Sequence, residues 1–383
     1  MRDGYSTRRR LLRSLGVVGV PLTAGCSGET GPTRESETTD EVRAENEGNE
    51  TEHEEPEYPD REEINGIPVY RRRYELAELP IEEWPQYGED RILPPYCEYP
   101  DAAVVDEEIP DLRTNTVTLF DVEDDEGHHP LRTGRTMMRL VHCYRESDDE
   151  RYLEKTESIS EAMVEIATEQ DGALYFPYTF DWRSPGGDQP LQAPWFSGMS
   201  QGAVLTAYAH LYEATGDDHY RRLADQVFRS FTNVRRTTGD IWTTVVTRTP
   251  TEFTDPGDDG PGHFWIEEYP TEPPNHVLNG FGVGLFGLYD YWLHVDREAG
   301  YDPLCAALTT VEDHIEAYRE PGEISWYALS RGFRGNAHYH STHINQFELL
   351  ANLSGEERFA EAAETFRDDH PYEEYRPDRR DWA

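Results

Sequence analysis

Between His263 and Gln346 the chain gathers acids, phenols and imidazoles as it does nowhere else, with few Lys or Arg among them. The stretch opens with His263-Phe264-Trp265-Ile266-Glu267-Glu268-Tyr269-Pro270, followed by Val277-Leu278-Asn279-Gly280-Phe281. It closes with Trp326-Tyr327 and Tyr339-His340-Ser341-Thr342-His343-Ile344-Asn345-Gln346. These side chains accept and release protons, so the chemistry they suit is general acid–base catalysis in a pocket made by loops at helix starts. Each tyrosine alone reads as a core or sugar-stacking residue; the set in its fixed order points to catalysis. A phenol at its reference pKa of ~10 is a poor base at neutral pH and needs a cation or imidazole beside it. His340, His343 and Arg331 are near in sequence. His340 and His343, beside Asn345, lack a carboxylate partner, so hydrogen bonding at a helix start is expected there and no metal.

These residues need a scaffold, and the text from Pro130 onward is helical and repeats. Gly134 to Tyr144, Gly202 to Tyr212, Gly282 to Tyr289 and Thr342 to Leu350 are apolar-periodic runs. Three are followed by a short polar break and a partner helix, at Ser147 to Tyr152, Gly216 to Tyr220 and Ser354 to Phe359. The third unit is expected to break at Gly300-Tyr301-Asp302-Pro303, with Pro near a helix start. Recurrent helical hairpins stack into a solenoid or toroid with insertions on one face. The expectation is a mainly α fold: an incomplete or closed α/α toroid of about four hairpins over residues 130–370. The insertions at 171–196, 234–278 and 320–341 hold most of the Trp and the whole proton-handling cluster. A small β-containing region is expected at 61–129, with Ile67 to Tyr70 and Val117 to Phe120 as strands. Residues 371–383 read as a tail.

The motifs Glu-Tyr-Pro, Leu-Asn-Gly-Phe, Trp-Tyr and Tyr-His-x-Thr-His-Ile-Asn-Gln resemble the C-terminal domain of the D-glucuronyl C5-epimerases. So does Trp195-Phe196-Ser197-Gly198-Met199-Ser200-Gln201-Gly202 at the head of a helix. The resemblance runs from about Pro130 to Asp369. It implies C5-epimerisation of D-glucuronic to L-iduronic acid residues in a polysaccharide, without a cofactor. It assigns Glu268 and Tyr339 as the base and acid pair on opposite faces of the sugar, with Tyr327 assisting. Tyr269, Asn279, Trp195, Gln201, Arg331, His340, His343 and Asn345 become substrate-binding candidates. The family carries Arg three residues after the Trp-Tyr tyrosine; here that position is Ser330, with Arg331 next. The β-domains of larger members do not fit in residues 61–129. Two other readings are a polysaccharide lyase, which takes the same C5 proton and then eliminates the 4-O substituent, and a non-catalytic glycan-binding surface lipoprotein. An unsaturated product marks the first and absence of C5 exchange the second.

The net charge is -42, with aromatics at 12% supplying core material. Lys155 is the single lysine. So acidic and Lys-poor a chain reads as halophilic, its self-repulsion screened within ~3 Å at 1 M salt. Without a basic patch past the N-terminus, the composition disfavours nucleic-acid binding, and no nucleic-acid partner is expected. Arg71, Arg72 and Arg73 read as charges neutralising nearby Glu, or else as contacts to an anionic glycan. Cys97, Cys143 and Cys305 are too widely spaced for a zinc site or disulfide framework, and Cys143 and Cys305 read as small core residues. Residues 1–26 resemble an export signal: Thr7-Arg8-Arg9-Arg10-Leu11-Leu12 is like a twin-arginine motif, and Leu15 to Leu22 is a short apolar run. Thr23-Ala24-Gly25-Cys26 resembles a lipobox, which makes Cys26 the lipidated first residue of a membrane-anchored protein on the extracellular face. Residues 27–60 are acidic, poor in apolar side chains, and expected to be a disordered tether. The expected partners are an acidic polysaccharide and, through the lipid, the membrane.

Overall fold

The computed structural model describes residues 60–80, 127–183, 190–234, 244–247, 261–271, 273–330 and 334–371. The export segment with Cys26, nearly all of the tether, Val117 to Phe120, Arg331 and the tail from residue 372 lie outside the described residues.

Eight described helices form four consecutive hairpins of an α/α toroid. They are α1 (Pro130–Ser147) with α2 (Glu150–Ile166), and α3 (Gly198–Thr215) with α4 (Asp218–Thr232). α5 (Leu278–His294) pairs with α6 (Arg297–Tyr318), and α7 (Ala337–Ser354) with α8 (Glu357–Asp369). The first helix of each hairpin packs on the first helix of the next, and each second helix lies against its own partner. Burial separates the two layers. α3 is buried continuously from Gly198 to Leu211, and α5 from Leu278 to Trp292. α4 instead buries one stripe, Tyr220, Leu223, Ala224, Val227, Phe228 and Phe231, as an outer helix should.

The inner helices cross at glycines. A Cβ on Gly202 would stand 2.5 Å from the Gly284 Cα, and one on Gly287 would stand 2.5 Å from the Gly202 carbonyl oxygen. The two backbones therefore touch directly. The hairpin turns also repeat. Asp148, Gly216 and Gly355 take left-handed backbone at the ends of α1, α3 and α7. Asp149 and Asp217 then cap α2 and α4 through their side chains. The third turn departs from expectation. α6 starts at Arg297, capped by Asp296 accepting from the Ala299 N–H at 3.0 Å, and Pro303 lies inside the helix. The cap side chain nearly two turns earlier outweighs the proline as the start signal.

Three two-stranded antiparallel sheets complete the described fold: β1 (Asp60–Ile64) with β2 (Ile67–Arg71), β3 (Thr168–Gln170) with β4 (Ala173–Tyr175), and β5 (Thr244–Thr247) with β6 (His263–Ile266). The first hairpin is clamped to α6. Arg71 pairs with Asp302 at 2.7 Å, Arg72 with Asp313 at 2.6 Å, and the Tyr74 hydroxyl donates to Glu312 at 2.8 Å. Arg71 and Arg72 are thus charge-neutralising clamps. Cys305 is a buried free thiol, as expected. Cys143 is disulfide-bonded, against the expectation of a free core thiol, and its partner lies outside the described residues. Sequence spacing carries no record of a pairing made in space. Among the described residues no helix is long and apolar enough to cross a membrane.

Candidate active site

The segments from α2 to α3, α4 to α5 and α6 to α7 all emerge at one end of the inner helices, and they meet there. β6 delivers Glu267 and Glu268 between two helix starts. The Glu267 carbonyl accepts from the Gly198 N–H of α3 at 2.8 Å, while the Glu268 side chain lies over Gly280 in the first turn of α5. The neighbouring acids have different tasks. Glu267 accepts from the His276 backbone N–H at 3.1 Å and binds its ring through Nδ1. That ring stacks on Trp265 at 4.0 Å, and the His276 carbonyl accepts from Tyr318 Oη at 2.8 Å. Glu267 thereby ties down the loop that leads into α5, and Glu268 is left to face the phenols.

Tyr327 donates its hydroxyl to Glu268, 3.3 Å from Oε2 and 3.4 Å from Oε1, and its own oxygen lies 3.4 Å from that of Tyr269. The Tyr339 ring meets the Tyr327 ring edge-on at 4.7 Å. Tyr178 stacks on Trp195 at 3.8 Å, and Trp195 lies 6.1 Å from Tyr269. These rings form an apolar cluster separate from the main core, with Val277 and Ala328 as its base. Tyr327 is fixed because its carbonyl accepts from the Leu278 N–H at 3.1 Å. Tyr339 is fixed because Asn336 caps α7, accepting from the backbone of His338 and Tyr339. Gly335, at φ +80, lets the preceding turn press against the Tyr339 ring.

Burial pushes the Glu268 carboxyl up to about 7, while hydrogen bonds from Tyr269 and Tyr327 and the nearby Arg135 guanidinium pull it back. Burial, and then the Glu268 charge, push Tyr269, Tyr327 and Tyr339 above the ordinary phenol range. Near neutral pH the site thus holds one carboxylate poised to exchange a proton among phenols that keep theirs.

Several expected substrate contacts are structural braces. Gln201 spends its amide on the Phe176 N–H, the Leu174 carbonyl and the Ser230 hydroxyl, fixing β4 to α3. His340 takes the Ser325 N–H at 2.9 Å on Nδ1 and reaches the Phe366 carbonyl through Nε2. His343 Nδ1 contacts the Ser325 hydroxyl at 2.8 Å. Both imidazoles therefore hold the loop that presents Tyr327, as hydrogen-bonding residues at a helix start, and burial lowers both their pKa values. Asn279 sits buried beside Gly280 with Oδ1 unpartnered, and its carbonyl accepts from Gln346. Asn345 is half-buried on α7, and Ser330 is exposed.

The sequence reading missed the cations of this site. Arg132, Arg135 and Arg139 lie on one face of α1, where burial, Arg135 and Arg139 push Arg132 down to about 10. Arg132 and Arg135 act on Tyr178, and Arg135 on Glu268. Their helical spacing in so acidic a chain was the available signal, which the more conspicuous run Arg71 to Arg73 masked. Gly280 was also overlooked as a site residue. A Cβ there would stand 2.5 Å from the Glu268 Cβ. Gly280→Ala is expected to displace the carboxylate and lower turnover on a glucuronate-bearing glycan by roughly 10²-fold, since misplacement by about 1 Å costs that much. A variant that keeps its melting temperature and full activity would remove Gly280 from this role.

The family profile described as D-glucuronyl C5-epimerase C-terminus matches residues 169–368. An uncharacterized protein of Methanocaldococcus jannaschii is 22% identical over 225 residues, 57% of this chain and 68% of that protein. The D-glucuronyl C5-epimerase of Caenorhabditis elegans is 24% identical over 192 residues, 45% of this chain and 28% of its own length. Among solved structures, the cellobiose 2-epimerase of Bacillus thermoamylovorans aligns at 10% identity with a TM-score of 0.43, over 63% of this chain and 59% of that one. The family match begins at residue 169 rather than near Pro130, so the first hairpin with its arginines stands outside it. It runs through β4 to α8, covers more than half of the chain and includes Glu268, Tyr327 and Tyr339; the chain belongs to the D-glucuronyl C5-epimerase C-terminus family.

Proposed function

We propose that this protein inverts C5 of D-glucuronic acid residues in a polysaccharide, giving L-iduronic acid. The observation that carries the reading is a buried glutamate that accepts the Tyr327 hydroxyl inside a cluster of tyrosines, with the Arg135 guanidinium close by. The C5 hydrogen lies α to a carboxylate and is very weakly acidic. Glu268 takes it as a proton, leaving the electron pair delocalised into the carboxylate as an enediolate. Tyr339 returns a proton to C5 from the opposite face. The cycle leaves Glu268 protonated and Tyr339 as a phenolate, and exchange with solvent, assisted by the hydroxyl of Tyr327, resets both. Arg132 and Arg135 hold the substrate carboxylate and offset the charge that grows on it, the task for which Ser330 is unsuited. Tyr178, Trp195 and Tyr269, packed on one another, form an apolar wall beside Glu268 that excludes water from the reacting carbon.

Incubation in heavy water with a glucuronate-bearing glycan tests this. NMR should find deuterium at C5 in both epimers, with iduronate accumulating. A 4,5-unsaturated product would identify a lyase, and binding with no exchange a glycan-binding protein.

The location proposed for this activity is the outer face of the cell membrane, through twin-arginine export and a lipid on Cys26, with an acidic surface suited to high salt. Cys26→Ser is expected to release the protein into the medium or leave an unprocessed precursor. Identical membrane partitioning of the variant would eliminate the anchor.

A further inference from the structure

At the far end of the inner helices a second polar cluster is built into the core. His210 of α3 meets Asp290 and His294 of α5, and one ligand atom from each lies within 4.8 Å of the other two. His210 and Asp290 are fully buried, and His294 is partly open to the surface, which provides an entry path. Asp290 and His294 are one helical turn apart on the same face of α5, the spacing that aims two ligands at one point. His210 Nε2 stands 3.6 Å from Asp290 Oδ1, close to the edge of a polyhedron whose metal–ligand bonds are about 2.1 Å. The other carboxylate oxygen, Oδ2, accepts from the Thr206 hydroxyl at 2.6 Å. Such an outer partner orients a ligating carboxylate, and here it leaves Oδ1 buried, without a hydrogen bond, toward the imidazoles.

We propose that His210, Asp290 and His294 bind a divalent first-row transition metal, Zn(II) foremost, as a staple between α3 and α5. Two imidazoles and one carboxylate suit zinc and its neighbours in that row better than calcium or magnesium, which prefer all-oxygen shells. A buried carboxylate beside two neutral imidazoles is costly by itself, and a dication offsets that cost. The Arg145 guanidinium acts on all three groups and opposes a cation, but it is itself paired with Glu213. The site lies roughly 15 Å along α5 from Gly280 at 1.5 Å per residue, so the metal holds helices together and takes no part at Glu268.

The test uses the full chain, stripped with a chelator, reloaded with Zn(II) or Co(II), and washed in high salt to clear the acidic surface. Elemental analysis should find one tightly held metal per chain in the parent and none in Asp290→Asn, a near-isosteric change. Co(II) should show the intense visible bands of a low-coordinate site in the parent alone. At a hundredfold excess over Kd, Zn(II) should raise the parent Tm by roughly 5–10 °C and leave Asp290→Asn unmoved. Should Asp290→Asn fail to fold, the parent's own stoichiometry, Co(II) spectrum and Tm shift decide the matter. A folded parent that retains no metal, or metal retained equally by parent and variant, would overturn the site and leave a polar plug.

Discussion

Glu268→Gln and Tyr339→Phe should each stop net epimerisation while leaving glycan binding largely intact, because inversion requires a proton group on both faces of the sugar. A positioned acid or base contributes ~10²–10⁴-fold, so losses of that size are expected in turnover. Neither change removes much volume, and Tyr339 touches the site mainly through its ring against Tyr327. The two variants should differ in isotope pattern. Each retains the group on one face, so deuterium should enter only the epimer whose C5 hydrogen faces that group. A loss below about 10-fold in Tyr339→Phe would make Tyr339 a stacking residue. Equal residual exchange into both epimers in both variants would pass the role to Tyr269 or Tyr327. The pH profile gives a further check. Glu268 acts as base only when ionised and has been pushed up to about 7, so kcat/KM should climb as pH rises through that value. The climb should be absent from whatever activity Glu268→Gln retains.

The second large effect is expected at Arg135. Arg135→Met keeps the length of the side chain and removes its charge. Leaving a bound carboxylate without its half-buried counter-charge should lower kcat/KM by about 10²-fold. The same change should move the pH profile. A guanidinium near Glu268 favours the ionised carboxylate, so its loss raises that pKa and shifts the rising limb to higher pH. Arg135→Lys should restore the limb but only part of the affinity, since an ammonium lacks the planar fork that grips a carboxylate. Unchanged KM and an unchanged limb in Arg135→Met would remove this helix face from substrate recognition.

The sequence carried the helical frame because that frame repeats a local pattern. Apolar periodicity and short polar breaks are read over a few residues, and they marked the hairpins well. The third boundary failed where two local signals competed, Pro303 against the Asp296 cap. The proton-handling residues were legible from their types and order. Their division of labour was not, because it depends on partners brought from afar. Nothing in Glu267-Glu268 says which acid will be taken by His276 and which will face Tyr327. The same holds for His340 and His343, polar residues that suggested substrate contact until their bonds to the Ser325 loop were visible. Arg135 is distant from Glu268 in the chain and comes close only through the packing of α1 on α3.

The glycine crossing of α3 on α5 constrains which parts of the site can move. Two backbones in contact have no side chains between them to slide or re-pack, so that pair moves as one rigid beam. Glu268 rests on the beam at Gly280, and the residues that must approach it, Tyr339 on α7 and the arginines on α1, are carried by the helices flanking it. On the proposed function, any closure around a glycan would then be a motion of two wings against a fixed keel, with the carboxylate as the stationary point.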